Sequence, residues 1–198
     1  MLHGLDVGAY QPPSYPTDDC AFVFVEATEG LTRTNARLEA QTRTARRARL
    51  VVGFRHFLLP GHPGAQVRHF LSRIPDRDGD VFIVDWDATA DGRRATSQDK
   101  DRFIRRLKRL RPHRRIVLYA TYELWLQTNS GAFDADGLWI ADDVPPGRPR
   151  IQSDWLFHQY TRYPHSRSVA RFPDTEALHH WANTAGPLAV PATAPRIL

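Results

Sequence analysis

Residues 81–87, Val-Phe-Ile-Val-Asp-Trp-Asp (VFIVDWD), join an apolar run to two carboxylates. The run contains β-branched and aromatic side chains with no alternating polar ones, which predicts a parallel strand buried on both faces. Segments with apolar residues at helical spacing flank it at 64–74 and 96–111, and Thr96 with Asp99 resembles a capping box. A strand between two helices predicts a parallel sheet with right-handed crossovers.

The same alternation of strand and helix extends through most of the chain. Further strands are predicted at 3–7, 21–27, 50–58, 115–120, 138–141, 155–160 and 169–172, and further helices at 35–49 and 174–182. This pattern predicts an irregular β/α barrel over residues 1–182, with an open doubly wound sheet as the alternative. Residues 183–198 are rich in Pro and Ala, which predicts a tail or linker.

Composition narrows the classes of protein but does not choose a function. The 198 residues carry a net charge of +5, and only two of the 27 basic residues are lysines. Such a chain is attracted to polyanions such as nucleic acid, anionic membranes or an acidic cell wall. The single cysteine, Cys20, excludes an internal disulfide. Neither a long apolar run nor a basic and apolar leader is visible, so no membrane span and no secretory signal are predicted.

The functional groups of a parallel barrel collect where its strands end. Three aspartates occupy such positions, namely Asp6, Asp85 and Asp87, and the last two share one face if both lie on a strand. Other polar and aromatic candidates for a substrate-binding lining are Glu26, Arg55, His56, Tyr119, Trp139, His158 and Gln159. Asp85 has two interpretations: a structural salt bridge, with Arg55 as partner, or acid/base chemistry in which neighbouring carboxylates have different pKa values.

Other residue types have structural explanations that compete with functional ones. Most tryptophans are expected in the core, with a few at the barrel mouth as stacking platforms for sugar rings. His56 is expected as a hydrogen-bonded packing residue more than as a catalyst. The arginine-rich helices show no aromatic side chains on their polar faces, which argues against nucleic-acid binding. The absence of HExxH or a histidine cluster argues against a metal site.

Seven short motifs in order resemble family 25 glycoside hydrolases, the Chalaropsis-type lysozymes. They are GLDV at 4–7 followed by Tyr10-Gln11, FVFVEATEG at 22–30, VGFRHF at 52–57, DWD at 85–87, VLY at 117–119, LWIA at 138–141 and HQYT at 158–161. The resemblance implies an irregular TIM-like (β/α)5(β)3 barrel that needs no cofactor. It also implies N-acetylmuramidase activity, the cleavage of the β-1,4 bond between N-acetylmuramic acid and N-acetylglucosamine in peptidoglycan.

The chain departs from the family pattern at several positions. The family's Asp-x-Glu motif, with Glu as proton donor, reads Asp85-Trp86-Asp87 here. Ser168 stands where the family has an acidic residue on its last strand, and Arg55 stands where it has Tyr. Glu26 stands where the family has a Lys, and His158 stands where it has a Trp. Because Glu26 and Arg55 carry opposite charges on neighbouring strands, they are expected to pair.

Two functions follow from these observations. The first is a muramidase, a phage endolysin or bacterial autolysin, that acts as a monomer outside the cell or in the wall. The second is a barrel that binds cell-wall carbohydrate but has lost efficient hydrolysis. Peptidoglycan is the expected partner in both cases, with no nucleic acid, membrane, metal or cofactor.

Overall fold

A computed structural model describes residues 1–128, 134–162 and 166–184, which form nine strands and five helices. The strands are β1 (Leu2–Val7), β2 (Cys20–Glu29), β3 (Arg33–Thr34), β4 (Val51–Phe57), β5 (Val81–Asp85), β6 (Arg115–Thr121), β7 (Gly137–Ala141), β8 (Phe157–Thr161) and β9 (Ser166–Ala170). The helices are α1 (Leu38–Arg47), α2 (Pro63–Arg73), α3 (Ser97–Leu110), α4 (Tyr122–Thr128) and α5 (Thr175–Asn183).

Eight of these strands close into a barrel. The sheet order is β1-β9-β8-β7-β6-β5-β4-β2-β3, and a parallel pairing between β1 and β2 joins the ends of the eight-stranded part. Strand β9 runs antiparallel to both of its neighbours, and β3 forms a short hairpin with β2 outside the ring. The predicted irregular barrel is confirmed, and the β1–β2 pairing excludes the open doubly wound sheet.

The barrel interior is filled by large apolar side chains from alternate positions of the strands. Phe24 lies at the centre, with its ring 4.7 Å from that of Trp139 and 5.0 Å from that of Phe157. Gly53 faces this cluster, and its missing side chain leaves room for Phe24 and Ile83. The intervening residues of each strand face outward, where α1, α2 and α3 cover them. Both strand faces are therefore buried, which is why the strand sequences are apolar throughout.

Helix α3 follows the sequence pattern closely. The Thr96 hydroxyl accepts a hydrogen bond from the backbone N–H of Asp99 at 3.1 Å, as the predicted capping box requires. Phe103, Ile104 and Leu107 are fully buried against the barrel. Two elements were not predicted: β3, which is only two residues long, and α4, which begins directly after β6 without a capping residue.

Strand β5 ends at Asp85, so the predicted strand 81–87 is two residues too long.

Helix α5 covers the N-terminal end of the barrel, where Leu178 is buried and Trp181 packs on Phe157 with 5.9 Å between the rings. Most of the predicted tail, residues 185–198, lies outside the described residues. Among the described helices, none is long and apolar enough to cross a membrane.

Replacing Gly53 by Ala should destabilise the barrel. The new Cβ would lie 2.5 Å from a carbon of the Phe24 ring and 2.7 Å from Ile83 Cδ1, in an interior without free space. Overpacking of this kind costs about 1–3 kcal/mol. Gly64→Ala is the matched control, because its Cβ would meet nothing closer than 3.7 Å. Urea unfolding should show a lowered midpoint for Gly53→Ala and an unchanged or raised one for Gly64→Ala; equal midpoints would contradict the packing described here.

Candidate catalytic cleft

The last inward-facing position of several strands carries a polar side chain in place of an apolar one. Strand residues alternate between the two faces, so each of these side chains sits directly above the aromatic interior, at the end of the barrel where the parallel strands finish. This layer consists of Asp6 on β1, Glu26 on β2, Arg55 on β4, Asp85 on β5, Tyr119 on β6 and Gln159 on β8.

Arg55 contacts three carboxylates of this layer. Its Nη1 donates to Asp85 Oδ2 at 2.8 Å, its Nε lies 3.6 Å from Asp6 Oδ1, and its Nη2 lies 3.6 Å from Glu26 Oε2. The expected pairing of Glu26 with Arg55 is confirmed, and so is the ion pair considered for Asp85. Arg55 on β4 therefore links β5, the direct neighbour of β4, to β1, which lies on the far side of β2.

A second set of hydrogen bonds holds Asp6 from the other side. Tyr119 donates its hydroxyl proton to Gln159 Oε1 at 3.0 Å, and Gln159 Nε2 donates to Asp6 Oδ2 at 3.4 Å. Just below, Trp139 Nε1 donates to the Ser168 hydroxyl at 3.1 Å, so Ser168 is a buried acceptor in the barrel wall. The orientation of the Asp6 carboxylate is thus set from two directions.

Asp87 lies in the loop after β5 and is positioned by its neighbour Trp86. The Trp86 indole N–H donates to the carbonyl of Ala95 at 2.8 Å, and the ammonium group of the buried Lys100 lies 5.0 Å from the ring centre. Asp87 itself is half-buried, and its Oδ1 accepts from the Thr121 hydroxyl at a long 3.5 Å. Its carboxylate therefore faces the mouth of the barrel, clear of the ion pairs of Arg55.

Burial dominates the ionisation of the polar layer. It raises the pKa of Asp85 to about 7, although Arg55 acts in the opposite direction, and it raises the pKa of Asp6 as well. Burial disfavours the charge on Arg55, but Asp6 and Asp85 overcome this and raise its pKa, so the guanidinium stays cationic. A carboxyl with a pKa near neutrality beside a second carboxyl is an arrangement suited to acid/base chemistry.

Three buried atoms of this layer have no hydrogen-bond partner among the described residues: Asp6 Oδ1, Asp85 Oδ1 and Arg55 Nε. Buried polar atoms without partners are rare in folded proteins, because their desolvation is not compensated. A polar ligand entering from the barrel mouth could compensate them.

The cleft above this layer has a volume of ≈ 280 Å³. Tyr10 stands at its rim with 87% of its surface exposed, and Glu29 on β2 is paired with Arg33 on β3 at 2.6 Å. Phe57 at the end of β4 supplies an apolar wall. Arg33 was missed because β3 is too short to predict, and Tyr10 was noted only as part of a motif.

Four of the proposed lining residues do not line the cleft: His56, Trp139, His158 and Gln159. Gln159 is buried beneath it, where it donates to Asp6. Arg55 faces inward, so its neighbour His56 faces outward, where it stacks on Phe103 with 4.8 Å between the rings. Burial lowers the pKa of His56 to about 4, so the neutral ring accepts from Thr28 and donates to Gln66.

His158 is likewise outside the barrel, where its Nδ1 accepts from the Gly147 backbone N–H and its Nε2 donates to the Asp142 carbonyl. Trp139 is fully buried below the polar layer, and Trp86 and Trp125 are buried too, so none of these three provides a stacking platform. In the described part of the chain, no three His, Cys, Asp or Glu residues are grouped to hold a metal ion.

Residues 6–169 match the model of glycosyl hydrolases family 25. The fold is similar to a muramidase from Trichobolus zukalii (TM-score 0.80, 22% identity, 92% of this chain and 99% of that one). It is also similar to a bacterial lysozyme from Streptomyces coelicolor (TM-score 0.77, 23% identity, 93% and 98%). A third similar structure is the modular Cpl-1 endolysin complexed with a peptidoglycan analogue (TM-score 0.66, 16% identity, 87% and 54%).

No curated protein matches the sequence closely enough to add a relative. The ordered motifs, the closed irregular barrel and the carboxylates at its mouth agree with the match to the family model, which covers most of the chain. The chain belongs to glycosyl hydrolases family 25.

Proposed function

We propose that this protein is a muramidase that hydrolyses the β-1,4 bond between N-acetylmuramic acid and N-acetylglucosamine in peptidoglycan. The observation that carries the proposal is the group of Asp6, Asp85 and Asp87 at one barrel mouth, with the pKa of Asp85 raised to about 7. Family membership supports the reaction class, and the Cpl-1 endolysin complexed with a peptidoglycan analogue supports the substrate.

In the proposed reaction, Asp87 gives its proton to the glycosidic oxygen as the bond from that oxygen to the sugar carbon breaks. Its position at the mouth, outside the ion pairs of Arg55, suits a group that must reach the substrate. Asp85 orients the N-acetyl group of the substrate, whose oxygen attacks the same carbon, and water then opens the resulting ring. The alternative is that Asp6 activates a water molecule on the opposite face of the sugar.

Asp87→Ala should lower the release of reducing ends from purified peptidoglycan by about 100-fold or more, the usual contribution of a general acid.

Asp87→Glu should raise the rate above that of the wild type if the longer side chain places its proton nearer the glycosidic oxygen, because errors of about 1 Å can cost on the order of 100-fold.

Asp91→Ala is the matched control, because Asp91 is a carboxylate of the same loop that pairs with the exposed Arg93. Its rate should equal that of the wild type. An Asp87→Ala enzyme with wild-type activity would remove Asp87 from the role of proton donor.

The proposed role of Asp85 predicts a pH dependence. The productive form needs a charged Asp85, to orient the N-acetyl group, and a protonated Asp87, to act as the acid. The pH profile of kcat/KM should therefore be bell-shaped, with a change of slope near pH 7, where Asp85 titrates. Reducing-end release measured from pH 5 to pH 9 tests this. A rate that is constant between pH 5 and pH 8 would contradict the role.

Unfolding provides an independent measurement of the same carboxyl group. The pKa of Asp85 in the folded protein, about 7, lies above the ordinary value of 3.8, so the folded state retains a proton that the unfolded chain loses. Asp85 therefore stabilises the fold fully below about pH 4, and this stabilisation is lost as the pH rises through about 7, by up to about 1.4 kcal/mol per pH unit. The free energy of unfolding of Asp85→Asn should lack this decline.

Arg55 favours a second candidate function, a cell-wall carbohydrate-binding barrel with impaired hydrolysis. The guanidinium group holds Asp85 at 2.8 Å and contacts Asp6, so it engages two of the three carboxylates proposed as catalytic. If these ion pairs prevent hydrolysis, the wild type should bind insoluble peptidoglycan without releasing reducing ends. The double variant Arg55→Tyr with Asp87→Glu should then gain activity. Release by the wild type would exclude this second function.

The same substrate implies where the protein acts: we propose that it works outside the cell or in the bacterial wall, as a phage endolysin or a bacterial autolysin.

A further inference from the structure

A basic groove lies on the outer wall of the barrel between α2 and α3, away from the cleft. Its volume is ≈ 950 Å³. Its charged lining consists of Arg102, Arg105, Arg106, Lys108 and Arg109, with Asp134 as the acidic member. The five cations give this groove a strongly positive potential.

Three of the groove's cations have no acidic partner among the described residues. Arg105 is paired with Asp134 at 3.2 Å, and Lys108 is paired with Asp136 at 3.0 Å. In contrast, Arg102, Arg106 and Arg109 form no ion pair within the part of the chain that the structure describes, and Arg106 Nε is buried without a hydrogen-bond partner. These charges are available to a ligand.

Some arginines elsewhere on the surface are neutralised by carboxylates. Arg46 binds Asp80 through two hydrogen bonds of 3.1 and 2.8 Å, and Arg114 binds Asp76 at 2.7 Å and Asp78 at 2.9 Å. What distinguishes the groove is that its three unpaired arginines line one concave surface.

The three unpaired arginines form a row. Positions 102, 106 and 109 are separated by four and three residues, so their side chains leave one face of α3 about 5–6 Å apart. The groove begins near Gly64, at the start of α2, where no acidic side chain occupies the first turn. Since α2 starts at the end of the barrel that carries the cleft, a long polymer in the groove would lead towards the cleft rim.

We propose that this groove binds a flexible phosphodiester polymer of the bacterial cell wall. Guanidinium groups in a row match successive phosphates, each of which an arginine can bind through two hydrogen bonds. Nucleic acid is less suitable, because among the described residues no aromatic side chain lines the groove to stack on a base. The choice of a wall polymer rests on the proposed muramidase function, whereas the binding of a phosphodiester chain does not.

Binding of soluble poly(glycerol phosphate) tests the groove without any cleavage step. The variant Arg102→Gln, Arg106→Gln, Arg109→Gln is compared with Arg43→Gln, Arg47→Gln, Arg73→Gln, which loses the same charge from exposed positions on α1 and α2. We expect the groove variant to bind about tenfold more weakly or worse in low salt. The slope of log affinity against log salt should decrease by about 2, since each lost phosphate contact removes about 0.7. The control variant should retain most of the affinity and the slope.

Equal losses in the two variants, with both still folded in a thermal scan, would overturn the proposal and leave only a general charge effect. Tighter binding of an oligonucleotide of equal phosphate number, lost in the groove variant alone, would assign the groove to nucleic acid and also overturn it.

A second measurement separates this inference from the muramidase proposal. Walls stripped of their phosphate polymers with hydrofluoric acid should release reducing ends equally with the wild type and the groove variant. Intact walls should retain the wild type and lose the groove variant. No release from any wall would contradict the muramidase function and leave the binding result standing; equal retention on intact walls would contradict the groove.

Discussion

The contact of Arg55 with Asp6, Glu26 and Asp85 is the interaction on which the cleft depends. Transferring several carboxylates from water to the top of an apolar barrel is costly, and only a buried counter-charge makes it tolerable. Loss of one member of such a network leaves a buried charge unpaired, at a cost of about 3–5 kcal/mol. The same guanidinium group that allows the carboxylates to gather also competes with a substrate for them.

The barrel makes this gathering possible through the alternation of its strands. One residue in two faces inward, so a single polar residue at the end of each strand contributes to a shared layer. Below the layer, Phe24, Trp139 and Phe157 exclude water, which is why burial raises the pKa of Asp85 so far. Outside the barrel, the same alternation places His56 and His158 among helices and loops, where both are satisfied by hydrogen bonds.

Sequence reasoning could predict the features that depend on local patterns. Apolar runs located the eight barrel strands, and the capping residues located α3, because these signals are contained in a few neighbouring residues. The pairing of Glu26 with Arg55 was also predictable, since parallel neighbours in register bring the two together. The end of β5 was not, because Trp86 leaves the strand to bind the Ala95 carbonyl, a contact that only the folded loop reveals. The outward position of His56 could have been inferred from the inward position expected of Arg55.

The distribution of charge over the protein suits two different ligands at two different places. The chain has an overall charge of +5, yet the described lining of the cleft contains four carboxylates and two arginines. A phosphate-rich polymer is repelled by such a mouth, whereas a glycan strand with neutral sugar hydroxyl and amide groups can enter it. The excess positive charge lies elsewhere, and on α3 a row of arginines has no acidic partners among the described residues. A wall contains both kinds of polymer side by side, so segregated charges would allow one molecule to hold the first while the carboxylates act on the second.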